Sequence, residues 1–306
     1  ASFNTFGGAY SGNTNTTGTQ NTAFGQASMR ANTTGDQNTA VGREALKSNT
    51  TGIQNTAIGR SALSSNTTAS NNTAVGRVAL SLNTTGTNNT AVGRNAMANC
   101  TTGGLNVAVG FSALDALTTS SYNTAVGNQA MQNTTTGSSN TGVGQEALKN
   151  CTTGVGNQAL GDKAGDGVTI GQNNVMIGRE AGAYGTVTTQ GNRHVLLGSY
   201  TRSFSATGND SIVLGYDVAA SGGATLTFGN GSSDTTCSYG STSWSTPSDE
   251  RLKKDVATST AGLGFINDLR PVTYKWKNAG DIPNNFNGYQ EGSTTPIVNS
   301  KTNHGF

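Results

Sequence analysis

A five-residue signature recurs at a fixed interval of seventeen residues through most of this chain. It reads Asn-Thr-Ala-Val-Gly, begins at Asn21, and returns without insertion or deletion up to Asn174. The last two copies, NQALG and NVMIG, have diverged but keep the phase. A short fixed period means that each repeat is one structural unit that stacks on the next. The sequence therefore predicts a solenoid in which each repeat forms one rung.

Composition favours ordered rungs over disorder. Only 33% of the residues are apolar and 43 of the 306 are glycine, but charged residues make up just 11% and the pattern is strictly phased. Disordered chains of low hydrophobicity usually carry high charge, so we expect many thin, stacked cores instead. The net charge is +2 without a run of Lys or Arg, which predicts no nucleic-acid partner. No apolar stretch of about 18 residues is present, so we expect no membrane insertion.

Residue types within the repeat predict its local structure. We count the signature Asn as position 0. The Thr-Ala-Val run at positions 1–3 alternates and is rich in strand formers, and the glycine at position 4 is expected to end the strand at a positive-φ corner. Positions 7 and 8 read Ala-Leu or Ala-Met, and positions 11–14 read Asn-Thr-Thr-Gly, which is turn chemistry. We expect each rung to bury two sizeable side chains, one from position 3 and one from position 8.

Such a rung is too thin to be stable by itself. Burying each of the two side chains contributes about 1.5–3 kcal/mol, whereas ordering a residue costs about 1 kcal/mol or more. Position 2 is always small, from Ala23 to Gly142, and would permit close approach of another chain on the other face of the strand. The sequence therefore predicts an obligate oligomer.

Position 11 predicts a buried column. It holds Asn32 and Asn49 in early rungs, then accepts Cys100, Leu117 and Cys151. A position that tolerates these residues is expected to be at least half buried, with its asparagines in a stacked hydrogen-bonded ladder. The alternative is N-glycosylation, because each Asn-Thr-Thr is also a sequon. Cys100 and Cys151 are three rungs apart, about 14 Å, which exceeds the ~7 Å limit for a disulfide. No metal-ligand spacing and no cofactor motif is present.

Arginine recurs at position 5, and two interpretations are open. These residues form a solvated edge with occasional Glu partners at position 6, or they form a surface that binds an anionic glycan. The position-5 arginines are Arg43, Arg60, Arg77, Arg94 and Arg179.

The repeats resemble two groups of known proteins. They are similar to the heads of trimeric autotransporter adhesins, which are parallel β-rolls with Asn-Ser-x-Ala-Ile-Gly rungs. They are also similar to the Asn-Thr-rich repeats of phage fibres and bacterial surface proteins that end in a chaperone domain. Both resemblances imply an all-β, homotrimeric solenoid or β-roll.

The chain divides into three predicted segments. Residues 1–229 form the solenoid, with less regular rungs at 194–198, 211–215 and 226–229. Residues 230–247 are rich in Ser, Thr and Gly and are predicted to be a neck or linker. At Ser248 the composition changes, and residues 248–306 form a separate segment.

Motifs in the last segment identify its resemblance. They are Ser-Asp-Glu-Arg-Leu-Lys from Ser248, Leu-Arg-Pro-Val-Thr-Tyr-Lys-Trp from Leu269, and the terminal His-Gly-Phe from His304. The segment resembles the start of the endosialidase-type intramolecular chaperone, an α+β peptidase module of phage tailspikes and fibres. The family's domain continues into long helices, so we expect only its first part here.

The resemblance implies trimerisation followed by self-cleavage. By position, Ser248 is the nucleophile, Lys253 is its base, and Pro247–Ser248 is the scissile bond. A neutral, desolvated lysine can accept the proton of such a serine. The alternative is that Ser248 caps the N-terminus of a helix whose first turn contains Asp249 and Glu250.

These observations predict a homotrimeric fibre, most consistent with a virion tail fibre that attaches to a host receptor or glycan. A bacterial cell-surface adhesin is the alternative. A glycan-degrading tailspike is less favoured because acidic residues number only 16 and none recurs opposite another. Enzymatic activity is expected at most as one self-cleavage event. An exact repeat offers many near-equivalent wrong registers between chains, and a C-terminal chaperone would select one.

Overall fold

The computed structural model describes residues 3–185, 188–241, 272–274, 291–294 and 303–305. The chain divides into two compact units, Ala1–Pro247 and Ser248–Phe306. The described residues contain strands and turns but no helix.

Fifteen strands of the first unit form one continuous sheet in chain order, in which each strand pairs with the next. The strands are β1 Thr5–Gly7, β2 Thr22–Phe24, β3 Thr39–Val41, β4 Thr56–Ile58, β5 Thr73–Val75, β6 Thr90–Val92, β7 Val107–Val109, β8 Thr124–Val126, β9 Thr141–Val143, β10 Gln158–Leu160, β11 Val175–Ile177, β12 Val195–Leu197, β13 Ser211–Gly215, β14 Thr225–Gly229 and β15 Thr235–Ser238.

The first fourteen strands are parallel, and equivalent positions of successive repeats face each other. Thr22 pairs with Thr39, for example, and Ala23 with Ala40. The register advances by seventeen residues from β1 to β11, while the step from β11 to β12 is longer, with Val175 opposite Val195. The prediction of a parallel β-solenoid with 17-residue rungs is confirmed. β1 adds a rung before the first signature noted in the sequence.

The inner face of the strand is position 2, which corrects the sequence-based expectation. The alanines at position 2 are fully buried, whereas the larger position-3 residues point outward. Successive side chains of a strand face opposite sides, so only one of the two positions can be inside. The interior leaves little room: at Gly142, which occupies position 2, an added Cβ would lie 2.9 Å from Met131 Cγ.

Position 8 supplies the large core residue of each rung, as predicted. The fully buried series at this position is Met29, Leu46, Leu63, Leu80, Met97, Leu114, Met131 and Leu148. In the rung that begins at Asn174 the two sizes are exchanged, because position 8 is Gly182 and position 2 is Met176. Position 8 of the preceding rung, Gly165, is also small. A Cβ added at either glycine would lie 2.8 Å from Met176. Positions 2 and 8 therefore fill one shared core.

The glycine at position 4 turns the corner after the strand. Gly42 has φ +133°, and an added Cβ would lie 2.6 Å from the carbonyl oxygen of Gly59 in the next rung. Both the backbone conformation and the close approach exclude a side chain at this corner. The predicted positive-φ corner is confirmed.

Two buried asparagine columns connect the rungs. At position 0 the Asn38 backbone N–H donates to Asn21 Oδ1 (3.0 Å), and Asn38 Nδ2 donates to the Gly52 carbonyl (2.9 Å). At position 11 Asn49 Nδ2 donates to Asn32 Oδ1 (2.8 Å) and to the same carbonyl (2.9 Å). The predicted ladder at position 11 is confirmed. Because these amide groups are fully buried and donate to protein acceptors, the folded solenoid leaves no access for glycosylation there.

The cysteines of the described residues are unbridged, as the spacing predicts. Cys100 and Cys151 continue the buried column of position 11, and burial raises the pKa of each thiol to about 11. Deep burial and a raised pKa make both thiols unreactive core residues.

The solenoid ends in an antiparallel strand. β15 pairs with β14, with Cys237 opposite Leu226. It lies within residues 230–247, which the sequence predicts to be a neck, and residues 242–247 of that stretch are outside the described residues. A terminal antiparallel strand covers the edge that the last parallel strand would otherwise expose.

In the second unit the structure describes β16 (Val272–Tyr274) and β17 (Asn303–Gly305), which pair antiparallel with Thr273 opposite His304.

Candidate functional site

The predicted cleavage site lies outside the described residues. This applies to Ser248, Lys253 and the Pro247–Ser248 bond, so their catalytic roles stay predictions. The later motifs of the same segment are partly described. The pairing of β16 with β17 places the Val-Thr-Tyr part of one motif beside the His-Gly part of the other.

A continuous line of apolar side chains lies on the outside of the sheet. We call it the outer apolar row, and it consists of the position-3 residues of β2–β11. The six most exposed members have between 36% and 50% of their area exposed. The row comprises Phe24, Val41, Ile58, Val75, Val92, Val109, Val126, Val143, Leu160 and Ile177. Contiguous exposed apolar surface of this kind makes the outer apolar row a candidate interaction site.

The outer apolar row is bordered by uncharged residues. Position 1 of the same strands is Thr, Val or Gln and is half-buried or exposed. Near the end of the row lies a mostly apolar cavity of about 270 Å³, lined by Thr141, Val143, Gln158, Leu160 and Ile177 among others. A face without charge over ten strands suits contact with a similar apolar face, because no charged group loses its hydration.

A second outer feature lies one corner away from the strands. Four arginines occupy position 5 of successive rungs, and we call them the arginine column: Arg43, Arg60, Arg77 and Arg94. Backbone hydrogen bonds hold them in register, because each arginine carbonyl accepts from the position-6 N–H of the next rung. The Ser61, Val78 and Asn95 N–H groups donate to Arg43, Arg60 and Arg77 at 2.9–3.0 Å.

Acidic partners are unevenly distributed along this edge. Arg43 lies 3.8 Å from Glu44, and Arg179 lies 3.6 Å from both Asp162 and Glu180. The predicted Glu partners at position 6 therefore exist at both ends. Between them, the neighbours of the arginine column at position 6 are neutral.

Three tyrosines cluster where the repeat becomes irregular. Tyr184 and Tyr200 have ring centroids 5.0 Å apart, and Tyr200 and Tyr216 are 5.7 Å apart, both edge to face. Arg202 lies over Tyr184 and donates a hydrogen bond to Asp217, and a cavity of about 210 Å³ opens between the tyrosines and Asp217. The tyrosines occupy different positions of the drifted repeat, so the sequence has no periodic signal for this cluster.

A buried histidine replaces Asn at position 0 of the rung that contains β12. His194 Nε2 lies 2.6 Å from the Gly208 carbonyl, and Nδ1 lies 2.6 Å from Ser211 Oγ. The carbonyl can only accept, so the neutral Nε2–H tautomer fits this site. Burial lowers the pKa of His194, mainly by desolvation of the charged form.

Two kinds of feature are absent from the described residues. These ranges hold no group of three or more His, Cys, Asp or Glu side chains that could bind a metal ion. They likewise contain no helix long and apolar enough to cross a membrane.

Comparison with known proteins identifies one segment. Residues 248–290 match the family model described as chaperone of endosialidase. No curated protein and no solved structure matches the chain significantly. A β-solenoid followed by a chaperone-of-endosialidase segment fits a phage fibre-like protein with a trimerisation role.

Proposed function

We propose that this chain is the structural subunit of a homotrimeric fibre, most consistent with a phage tail fibre used in host attachment. In this proposal the solenoid forms the shaft, and the segment from Ser248 brings three chains into register. A bacterial surface adhesin has the same repeat chemistry and stays the alternative.

The outer apolar row is the observation that supports this function. It places one apolar side chain on each rung at the spacing of the strands, so parallel copies of the chain present matching rows to each other. Its six most exposed side chains leave between 36% and 50% of their area exposed. Full burial of such a side chain contributes about 1.5–3 kcal/mol, so covering the remainder contributes about 0.6–1.2 kcal/mol per rung.

This small contribution per rung explains the need for a chaperone. A shift by one rung between chains loses only one rung of contact, about 1 kcal/mol by the same estimate. The outer row therefore stabilises the assembly but discriminates poorly between registers. A separate module that fixes the starting register solves this problem.

The proposed cleavage would release the shaft after assembly. Ser248 Oγ attacks the carbonyl carbon of Pro247, and its proton passes to the neutral Lys253 amine. The peptide nitrogen becomes the free amine of Ser248, and water hydrolyses the resulting ester to leave Pro247 as a carboxylate.

Light scattering of the full chain in solution tests the assembly, and three chains per particle are expected. A stable monomer at micromolar concentration would contradict the proposal. Expression of the wild type beside Ser248→Ala tests cleavage separately, since only the wild type is expected to yield a shortened product. Immunogold labelling of virions against outer membranes separates the tail fibre from the adhesin.

A further inference from the structure

The arginine column is an unusual arrangement for a folded surface. Neighbouring strands of a parallel sheet are about 4.8 Å apart, so four exposed guanidinium groups lie in a line about 14 Å long. Like charges directly opposite each other in a sheet are destabilising. A stack of this kind is stabilised once a negative ligand neutralises it.

Arginines at position 5 differ in whether they form ion pairs. Arg179 occupies the same position as the column but lies 3.6 Å from each of two carboxylates, Asp162 and Glu180. Arg60, Arg77 and Arg94 form no ion pair within the described part of the chain, and all three are exposed. Their position-6 neighbours are Ser61, Val78 and Asn95. The fold can place an acid there, since Glu44 and Glu180 adopt the same positive-φ conformation.

The charge of the surrounding rungs reinforces this contrast. Residues 37–114 contain five basic residues and one acidic residue, Glu44, which gives a net charge of +4 in a chain whose total is +2. The column ends beside one exposed aromatic residue, because Arg94 lies 5.5 Å from the centroid of the Phe111 ring and Phe111 is 41% exposed.

We propose that the arginine column binds a linear polysaccharide that carries carboxylate, sulfate or phosphate groups and lies along the solenoid axis. A small anion would contact one or two arginines, whereas an extended chain reaches all four. One sugar unit of such a chain is about as long as one rung, so charged sugars meet successive guanidinium groups. The planar guanidinium matches carboxylate, sulfate and phosphate oxygens in bidentate geometry.

A single-stranded nucleic acid fits the column less well. Proteins that bind single strands stack successive bases on several aromatic side chains. Along the column the described residues offer one such ring, Phe111, at its end. The ring instead suits the apolar face of one sugar unit.

The inference rests on the proposed attachment role for its biological meaning, but its test does not depend on assembly. Binding of fluorescent polygalacturonate and dextran sulfate to the full chain is measured, with neutral dextran and a single-stranded oligothymidylate as comparisons. The two charged polysaccharides are expected to bind, and neutral dextran is not. The triple variant R60Q/R77Q/R94Q is expected to raise their dissociation constants about tenfold, because three exposed ion pairs are lost.

The matched control removes three cations that already have carboxylate partners, in the variant K149Q/K163Q/R179Q. It lowers the net charge equally and is expected to change the dissociation constant less than about twofold. Asn95→Glu is a second test that keeps every arginine and supplies the acidic partner that Arg179 already has. It is expected to weaken binding of the charged polysaccharides.

Three results would overturn the inference: unchanged binding in R60Q/R77Q/R94Q, an equal loss in both triple variants, or tighter binding of the oligothymidylate through the column. Light scattering on the same samples reports assembly independently. A monomeric wild type that still binds through the column would refute the fibre proposal and leave the polysaccharide site standing.

Discussion

Replacing members of the outer apolar row should dissociate the fibre without unfolding the rungs. The variant I58T/V126T/L160T/I177T changes four outward side chains in each protomer, whose exposed fractions are 40%, 36%, 50% and 42%. Threonine already occupies position 1 of the same strands and favours extended structure. The change therefore removes apolar area from the outside of the sheet and leaves the buried positions 2 and 8 intact.

The magnitude follows from these exposures. Full burial of a side chain of this size contributes about 1.5–3 kcal/mol, so covering the exposed 40% contributes about 0.6–1.2 kcal/mol. Four substitutions then cost about 2–5 kcal/mol per protomer in the assembly. In an isolated chain, substitutions at such exposed sites change stability by only about 0.5 kcal/mol each.

Sedimentation velocity over a range of concentrations measures the outcome. The wild type is expected to sediment as a trimer, and the variant as a smaller species that retains strand content by circular dichroism. The control I53T/L82T/L105N/I170T replaces equally exposed apolar residues, 40–48% exposed, at other positions of the repeat. Leu105 is changed to Asn because its φ is +60° and Asn88 adopts the same conformation one rung earlier. The control is expected to remain trimeric. If the control dissociates while the row variant stays trimeric, another face forms the interface and the argument fails.

Three further predictions concern single rungs. Val78→Asn should stabilise the chain by about 1 kcal/mol in chemical denaturation. A β-branched residue is strained at φ +63°, whereas Asn95 already adopts this conformation one rung later. Equal or lower stability of the variant would contradict this explanation. Asn72→Ala should destabilise it by about 1–3 kcal/mol, since the buried Asn89 N–H loses its acceptor Asn72 Oδ1 (2.9 Å); a neutral effect would mean that water replaces the amide. Burial lowers the pKa of His194 below its unfolded value near 6.5. As the pH falls, the unfolded state therefore binds the proton first. The free energy of unfolding is then highest above about pH 6.5 and decreases as the pH falls below that value. His194→Asn restores the residue found at position 0 of earlier rungs. The thermal unfolding temperature of this variant should depend less on pH between about 7 and 5 than that of the wild type. If the two proteins show the same pH dependence, His194 has no role in it.

Much of the candidate site was visible in the sequence as spacing, but its surface chemistry was only partly predictable. The arginine column could be located at once, because position 5 is fixed by the period. That Arg60, Arg77 and Arg94 have no acidic partner among the described residues is evident only from the structure, where Arg179 at the same position forms ion pairs. The tyrosine cluster had no periodic signal, since Tyr184, Tyr200 and Tyr216 meet only after the drifted loops fold.

The sequence contains one indication that position 2 faces the interior, but it can be interpreted only with the structure. Where position 8 becomes Gly182, position 2 becomes Met176, and the fold shows that these two positions share one core. Exchange of large and small residues between two positions indicates contact, because the interior is packed at constant density.

By itself the sequence determined the rung, its length and its register. An exact period determines which residues stack on each other. The glycine at position 4, the turn at positions 11–14 and the Asn at position 0 determine where the backbone of each rung turns and which groups bond to the next rung. Only the tertiary structure decided which face of the strand is inside. Alternation separates Ala at position 2 from Val at position 3, but both are apolar, so local patterning cannot choose between them. The narrow interior, already filled by position 8, admits the methyl group and leaves the larger side chain outside, where the next protein surface can cover it.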